Sequence, residues 1–282
     1  MLLLTALIWG TAFAAQRSGM EHMGPFTFQS VRLLLGWMSL VPLVLWRRKR
    51  QGASFRFPSL KAVLACGLPL AMASTIQQIG LTMVPAGKAG FITALYVVLV
   101  PLFGLFLGRR PALRVWIGVA LAVAGLYLLS GISSLSVSWG EALIIACAVF
   151  YALQILAIDR FAPGCDGVAL SMMQFMVAGI LPIPFMIALE HPQWAQLRAG
   201  AFSVVYAGVF SCGVAYTLQI LGQKRTPPAL STLIMSLESV FSVLAGALFL
   251  GERMKGTEIL GCVLMLCAVI ISQLPGREAG TQ

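Results

Sequence analysis

Ten apolar segments of about twenty residues follow one another along this chain, each closed off by proline, glycine or charge. They run approximately over Leu2–Ser18, Phe26–Trp46, Leu60–Met83, Lys88–Gly108, Ala112–Ser130, Trp139–Asp159, Val168–Leu189, Ala199–Gly222, Pro228–Leu250 and Gly256–Leu274. Runs of that length without alternation are too long for barrel strands. In lipid the backbone must also satisfy its own hydrogen bonds, so helices are the expected element. Composition leaves no other solvent. Of 282 residues, 59% are hydrophobic and 10% are charged, whereas a water-soluble domain carries roughly 25% charged residues. The expected fold class is all-α: a polytopic membrane protein with ten transmembrane helices. Its first run has no basic segment ahead of it and many spans behind it, so it reads as a retained span rather than a signal peptide.

A formal net charge of +10 would suit a nucleic-acid binder, but its distribution does not. The densest cluster, Arg47, Arg48, Lys49 and Arg50, directly follows an apolar run, as a cytoplasmic anchor beside anionic headgroups would. With the N-terminus inside, the inner loops hold Arg47, Arg48, Lys49, Arg50, Arg56, Lys61, Arg109, Arg110, Arg114, Arg160, Lys224, Arg225 and Arg277. The outer loops hold only Arg17, Lys88, Arg198, Arg253 and Lys255. That bias puts both termini in the cytoplasm, in a membrane of the bacterial inner type.

The chain also repeats itself. Phe106-Leu107-Gly108-Arg109-Arg110 falls on Phe249-Leu250-Gly251-Glu252-Arg253 at an offset of 143 (249 minus 106). Gly118 falls on Gly261 and Pro85 on Pro228 at the same offset, while Trp9-Gly10 falls on Tyr151-Ala152 at 142. Two five-helix units are expected, at residues 1–131 and 139–274, with 275–282 as a short tail. Five is odd, so the second unit would enter the membrane from the opposite side. Inverted units around a central cavity can exchange conformations, which points to alternating access.

Trp9-Gly10, the Gly90–Tyr96 stretch leading to Pro101, and Ser236–Phe241 leading to Leu250-Gly251-Glu252 resemble the EamA family of the drug/metabolite transporter superfamily. The resemblance covers essentially the whole chain. It implies a ten-helix inverted-repeat fold and export of amino acids or other metabolites. Two positions depart from the family pattern: Gly108 is followed by Arg109 where a Glu is frequent, and Glu238 is followed by Ser239 where a Pro is common.

An ionisable side chain at mid-bilayer costs roughly 2.5–3.5 kcal/mol on insertion scales, so each one needs a reason. Glu238, about ten residues into the ninth segment, could bind a cationic group or a coupling proton, or could pair with Arg32 to lock helices. Arg32 in the second segment could meet a substrate carboxylate, pair with Glu238 or reach the headgroups. Lys88, opening the fourth segment, reads as a solvated interfacial lysine or as an attractor of anions at a cavity mouth. Polar and aromatic residues at helical spacing offer a substrate-binding lining: Trp9 and Phe13 with Gln16, Gln77 and Gln78 with Ser74, Tyr96, Tyr151 with Gln154, and Tyr216 with Gln219. Glutamines in lipid need partners, so these face the bundle interior, either as interhelical links or as cavity wall. Together they suit a zwitterionic or amphipathic solute. Gly104 with Gly108, and Gly118 with Ala122, read as close helix contacts.

The six cysteines show no ligand spacing, and His22 and His191 sit in loops beside prolines, so no metal or cofactor is expected. No phosphate-binding GxxxxGK[ST] motif occurs, which argues against ATP-driven transport by this chain. A membrane-embedded enzyme would need a nucleophile with a base, a metal cluster or paired carboxylates. A lipid flippase or scramblase on the same fold is the main alternative. The expected partners are a small-molecule substrate, the bilayer and, as a candidate, a proton. Nucleic acid is not among them, and the assembly is a monomer or homodimer.

Overall fold

Local capping explains where the long helices begin. The computed structural model describes residues 1–130, 137–250 and 255–274. Ser138 opens a helix with a capping box: its hydroxyl accepts from the Glu141 N–H (3.4 Å), and the Glu141 carboxylate accepts from the Ser138 N–H (2.6 Å). Asp166 does the same for the next helix, accepting from the Val168 and Ala169 N–H groups at 3.0 Å. The helix that starts at Pro25 is capped from afar. The Glu190 carboxylate accepts from the N–H groups of Phe26 (2.8 Å) and Thr27 (2.7 Å).

In chain order the helices are α1 (Leu2–Met20), α2 (Pro25–Gln51), α3 (Leu60–Leu81), α4 (Ala86–Thr93), α5 (Tyr96–Phe106), α6 (Leu113–Ser130), α7 (Trp139–Phe161) and α8 (Gly167–Ile180). Then come α9 (Ile183–Phe185) with a π-helical turn at Met186–Glu190, α10 (Trp194–Ala199), and α11 (Ala201–Val205). A π-helical segment at Tyr206–Tyr216 leads into α12 (Thr217–Gln223), followed by α13 (Pro228–Met235), α14 (Glu238–Leu250) and α15 (Gly256–Gln273). No strand occurs among the described residues. Seven stretches there are long and apolar enough to cross a membrane: 25–54, 60–81, 88–106, 139–164, 167–190, 201–223 and 256–273. Leu113–Leu129 and Pro228–Leu244 are apolar but shorter. α1 is long enough, but Gln16, Arg17 and Ser18 make its last turns polar. Gly251, Glu252 and Arg253, and the tail 275–282 with Arg277, lie outside the described residues.

The helices pack in long pairs, α6 on α15, α3 on α7 and α2 on α8, while α1 lies against α14 and the π-helical segment. Gly10 makes the α1–α14 approach possible: a Cβ there would sit 2.6 Å from the Glu238 carbonyl oxygen. Gly118 likewise faces the Ala268 carbonyl of α15, where a Cβ would come within 3.0 Å. Gly108 corrects the expected glycine pair with Gly104. It has left the helix with φ of 75°, and the chain turns there, the Arg109 N–H bonding back to the Gly104 carbonyl at 2.9 Å.

Three apolar segments expected to be continuous are broken: Val168–Leu189 turns at residues 181–182, where Pro182 sits, and two others break near the middle of the bundle. At residues 94–95 and 236–237 the backbone hydrogen bonds step from i−4 to i−3. The Leu95 N–H bonds to Ile92 (3.2 Å) and that of Val97 to Ala94 (3.0 Å); the Leu237 N–H bonds to Ile234 (3.3 Å) and that of Ser239 to Ser236 (3.2 Å). Each of these two breaks starts a new helix, α5 with Tyr96 and α14 with Glu238.

One end of the bundle is tied together by its basic residues. Arg47 pairs with Asp166 at 2.7 Å, Arg109 pairs with Asp159, and Lys224 donates to the Cys165 carbonyl at 2.5 Å. Lys88 belongs to the opposite end and corrects the expectation of a freely solvated lysine: it is paired with the buried carboxylate of Glu141 in the first turn of α7.

Candidate functional site

The breaks at 94–95 and 236–237 meet at the centre of the molecule. Tyr96, the first residue of α5, donates its hydroxyl to Oε1 of Glu238, the first residue of α14, at 3.1 Å. Glu238 is 3% exposed. Its place in the first turn of α14 puts the carboxyl at the positive end of a half-helix dipole, one way to hold an acid in an apolar bundle. The close α1–α14 contact at Gly10 brings Trp9 and Phe13 beside it.

Around this pair lies a cavity of about 40 Å³. Its wall takes Trp9, Phe13 and Gln16 from α1, Arg32 from α2, Gln77 from α3 and Thr93 from α4. Tyr96 comes from α5, Tyr151 and Ile155 from α7, Ser211 and Tyr216 from the π-helical segment, Gln219 from α12 and Glu238 from α14. That volume has room for about three water molecules.

Arg32 is also 3% exposed, and it is not paired with Glu238. Its Nη1 donates to Gln16 Oε1 at 2.8 Å, and its Nε and Nη2 both donate to Gln29 Oε1 at 2.9 and 2.8 Å. Gln29 in turn is fixed by Ser74, and the guanidinium lies 5.8 Å from the centre of the Phe28 ring. The expected charge pair is therefore corrected. Two amide oxygens hold the cation rigidly in place without neutralising it, because they are dipoles and not charges.

On another wall a chain of neutral hydrogen bonds links four helical elements. The Tyr216 hydroxyl donates to that of Tyr151 (3.4 Å), Tyr151 to Gln77 Oε1 (3.0 Å), and Gln77 Nε2 to Thr93 Oγ1 (3.0 Å). Trp9 donates its indole N–H to the Ser211 carbonyl at 3.3 Å and meets the Tyr216 ring edge-on, with ring centres 4.7 Å apart. Gln219 Oε1 is buried with no partner among the described residues, a spare acceptor on the wall.

Two of the expected lining residues fall elsewhere. Gln78 turns away from the cavity and donates to the Met20 sulfur at 3.1 Å. Gln154 donates to Gln174 Oε1 at 3.2 Å and links α7 to α8. A position next to a lining residue is rotated by about 100° on a helix, which takes Gln78 off the face that Gln77 occupies. Thr93, Ile155 and Ser211 join the wall beyond the residues the sequence points to. Thr93 was legible in principle, one turn before Tyr96, and Ile155 one turn after Tyr151. Ser211 had no such signal, because a π-helical segment shifts its face.

Comparison with known proteins assigns this architecture. The sequence model of the EamA-like transporter family matches residues 1–131 and, a second time, 138–273. The chain belongs to the EamA-like transporter family. An uncharacterized transporter of Archaeoglobus fulgidus is 30% identical over 274 residues, covering 97% of this chain and 84% of its own length. The inner membrane transporter YedA of Escherichia coli strain K12 is 28% identical over 95% of this chain and 88% of its own. The threonine/homoserine exporter RhtA of Salmonella typhimurium strain LT2 is 29% identical over 87% of this chain and 79% of its own. A solved crystal structure superposes with a TM-score of 0.80 at 20% identity, covering 97% of this chain and 95% of that one, which speaks to the fold alone. This EamA-like chain is thus a multi-pass membrane protein of a transporter family.

Proposed function

We propose that this EamA-like protein is a secondary transporter that exports a small zwitterionic metabolite, an amino acid or a close relative of one, by alternating access through the central cavity. One observation carries the reading: a buried guanidinium and a buried carboxyl group line the same cavity without pairing. Arg32 suits a substrate carboxylate, since its planar fork matches that anion. Glu238 suits the ammonium group or a coupling proton. Trp9, Phe13 and Tyr216 offer an apolar and aromatic wall to the remainder of the solute. Substrate-binding roles then fall to Trp9, Phe13, Gln77, Tyr96, Tyr151, Tyr216, Gln219 and Glu238. The printed name of the Salmonella relative, a threonine/homoserine exporter, supports the same solute class.

The mechanism rests on ten spans arranged as two inverted five-helix units, 1–131 and 139–274, with both termini in the cytoplasm. Supporting it are the near-constant offset between the halves and the breaks at 94–95 and 236–237, which fall at corresponding places in each. A cavity of about 40 Å³ is too small for an amino acid, so it represents a contracted state from which each side opens in turn. The test is flux through proteoliposomes preloaded with labelled threonine, homoserine or other amino acids. Counterflow of at least one of them is expected. Transfer of labelled lipid between leaflets, with no amino acid moved, would replace the transporter reading with that of a flippase.

A further inference from the structure

A second cavity, of about 340 Å³, lies at the arginine-rich end of the bundle, where α5, α6, α13 and α15 meet. Arg109, Arg110 and Arg114 line it. Arg109 is engaged by Asp159. Among the described residues the side chains of Arg110 and Arg114 form no ion pair or hydrogen bond, and none of the described residues lining the cavity is acidic. The first turns of α6 and α13 also line it, and both present the positive ends of their helix dipoles there. Two unneutralised guanidinium groups and two helix N-termini around one space call for an anion.

The rest of the wall says what kind of anion. It is built from proline, valine, alanine, leucine and glycine, with Ser272 as its one neutral polar side chain. On the same two helices Leu102, Leu105 and Phe106 of α5 and Leu113 of α6 are exposed, a surface for acyl chains rather than for water. A polar anion at the depth of the basic loops with apolar chains running down the helices is the shape of a phospholipid. We infer that this cleft binds the phosphate headgroup of an anionic phospholipid, with the phosphate on Arg110 and Arg114. The lipid would bridge α5 and α6 on one side to α13 and α15 on the other. It would therefore favour the conformation in which these four ends are close. The inference does not depend on which solute the central cavity carries.

Thermal unfolding of the full chain in a neutral detergent tests it, with phosphatidylglycerol, phosphatidylcholine or inorganic phosphate added. Phosphatidylglycerol should raise Tm by about 5 °C, as a ligand near a hundred times its Kd would for a chain of this size, and the other two should leave it in place. Arg110→Gln with Arg114→Gln should abolish the shift, and Arg48→Gln with Lys49→Gln on the exposed end of α2 should retain it. An equal shift from phosphatidylcholine would overturn the site, as would an equal loss in the α2 variant. An equal shift from inorganic phosphate would make it a free-anion site and overturn the lipid assignment. Should the Arg110/Arg114 variant not fold, native mass spectrometry of the unmodified protein decides: retention of phosphatidylglycerol over phosphatidylcholine is expected, and no preference contradicts the inference.

Discussion

The two centrally broken helices share a backbone and differ in chemistry. α4–α5 and α13–α14 each pause for two residues in an i−3 turn, and each restarts with a side chain aimed at the centre. The first places a phenol there, Tyr96, and the second a carboxyl, Glu238, 142 positions further on, and the two are hydrogen-bonded to each other. The buried cation is just as one-sided. Arg32 on α2 falls, at the same offset of 142, on Gln174 of α8, a neutral amide bonded to Gln154. Similar geometry in both halves, with the buried base and the buried acid contributed by different halves, makes a cavity with two poles. Under the proposed function the shared geometry would serve movement and the asymmetry recognition.

The contact that holds Glu238 in place gives the largest expected effect. Gly10→Val should force α1 away from α14 and cost about 1–3 kcal/mol by overpacking, read as a lower Tm and a smaller monodisperse fraction. An unchanged Tm would mean that the close approach at Gly10 is not what positions the second break. Glu238→Gln keeps the shape and removes the titratable acid. Transport should fall roughly 10–100-fold, the worth of a charged hydrogen bond, with Tm nearly constant. Full activity at every pH would remove Glu238 from both substrate binding and coupling. Arg32→Lys keeps the charge but loses the fork, and should weaken solute affinity about tenfold. Unchanged affinity would leave Arg32 with a structural role only. Tyr96→Phe removes only the neutral partner of the first break, so about a threefold to tenfold loss is expected. A loss as large as that of Glu238→Gln would erase the distinction between the two breaks.

The starts of most helices could be read from the sequence because they rest on local chemistry: Pro25 at a first turn and the Ser138–Glu141 box. The two central breaks could not. Residues 90–100 and 232–242 contain no proline or glycine at the pause itself, and an i−3 turn in an apolar run is decided by packing in three dimensions. Most of the cavity wall was legible because Trp9, Phe13, Tyr151 and Tyr216 are large and partly polar, costly to place against lipid tails. What was not legible was partner choice. Whether Arg32 meets Glu238 or two glutamines depends on how α1 and α2 are set side by side, and Gln16 and Gln29 reach it first. Gln78 and Gln154 illustrate the same limit: a buried glutamine must bond to something, and its identity does not say what.

The central claim is that the space between the two breaks lies on the solute path and opens in turn to each side. Ser211 lines that space and is buried, so Ser211→Cys, with the six native cysteines replaced, puts a small reporter there. In oriented vesicles a membrane-impermeant thiol reagent should label it from either side, more slowly from one, and a transported amino acid should slow the labelling from both. Labelling from a single side only, unaffected by any solute, would contradict the account.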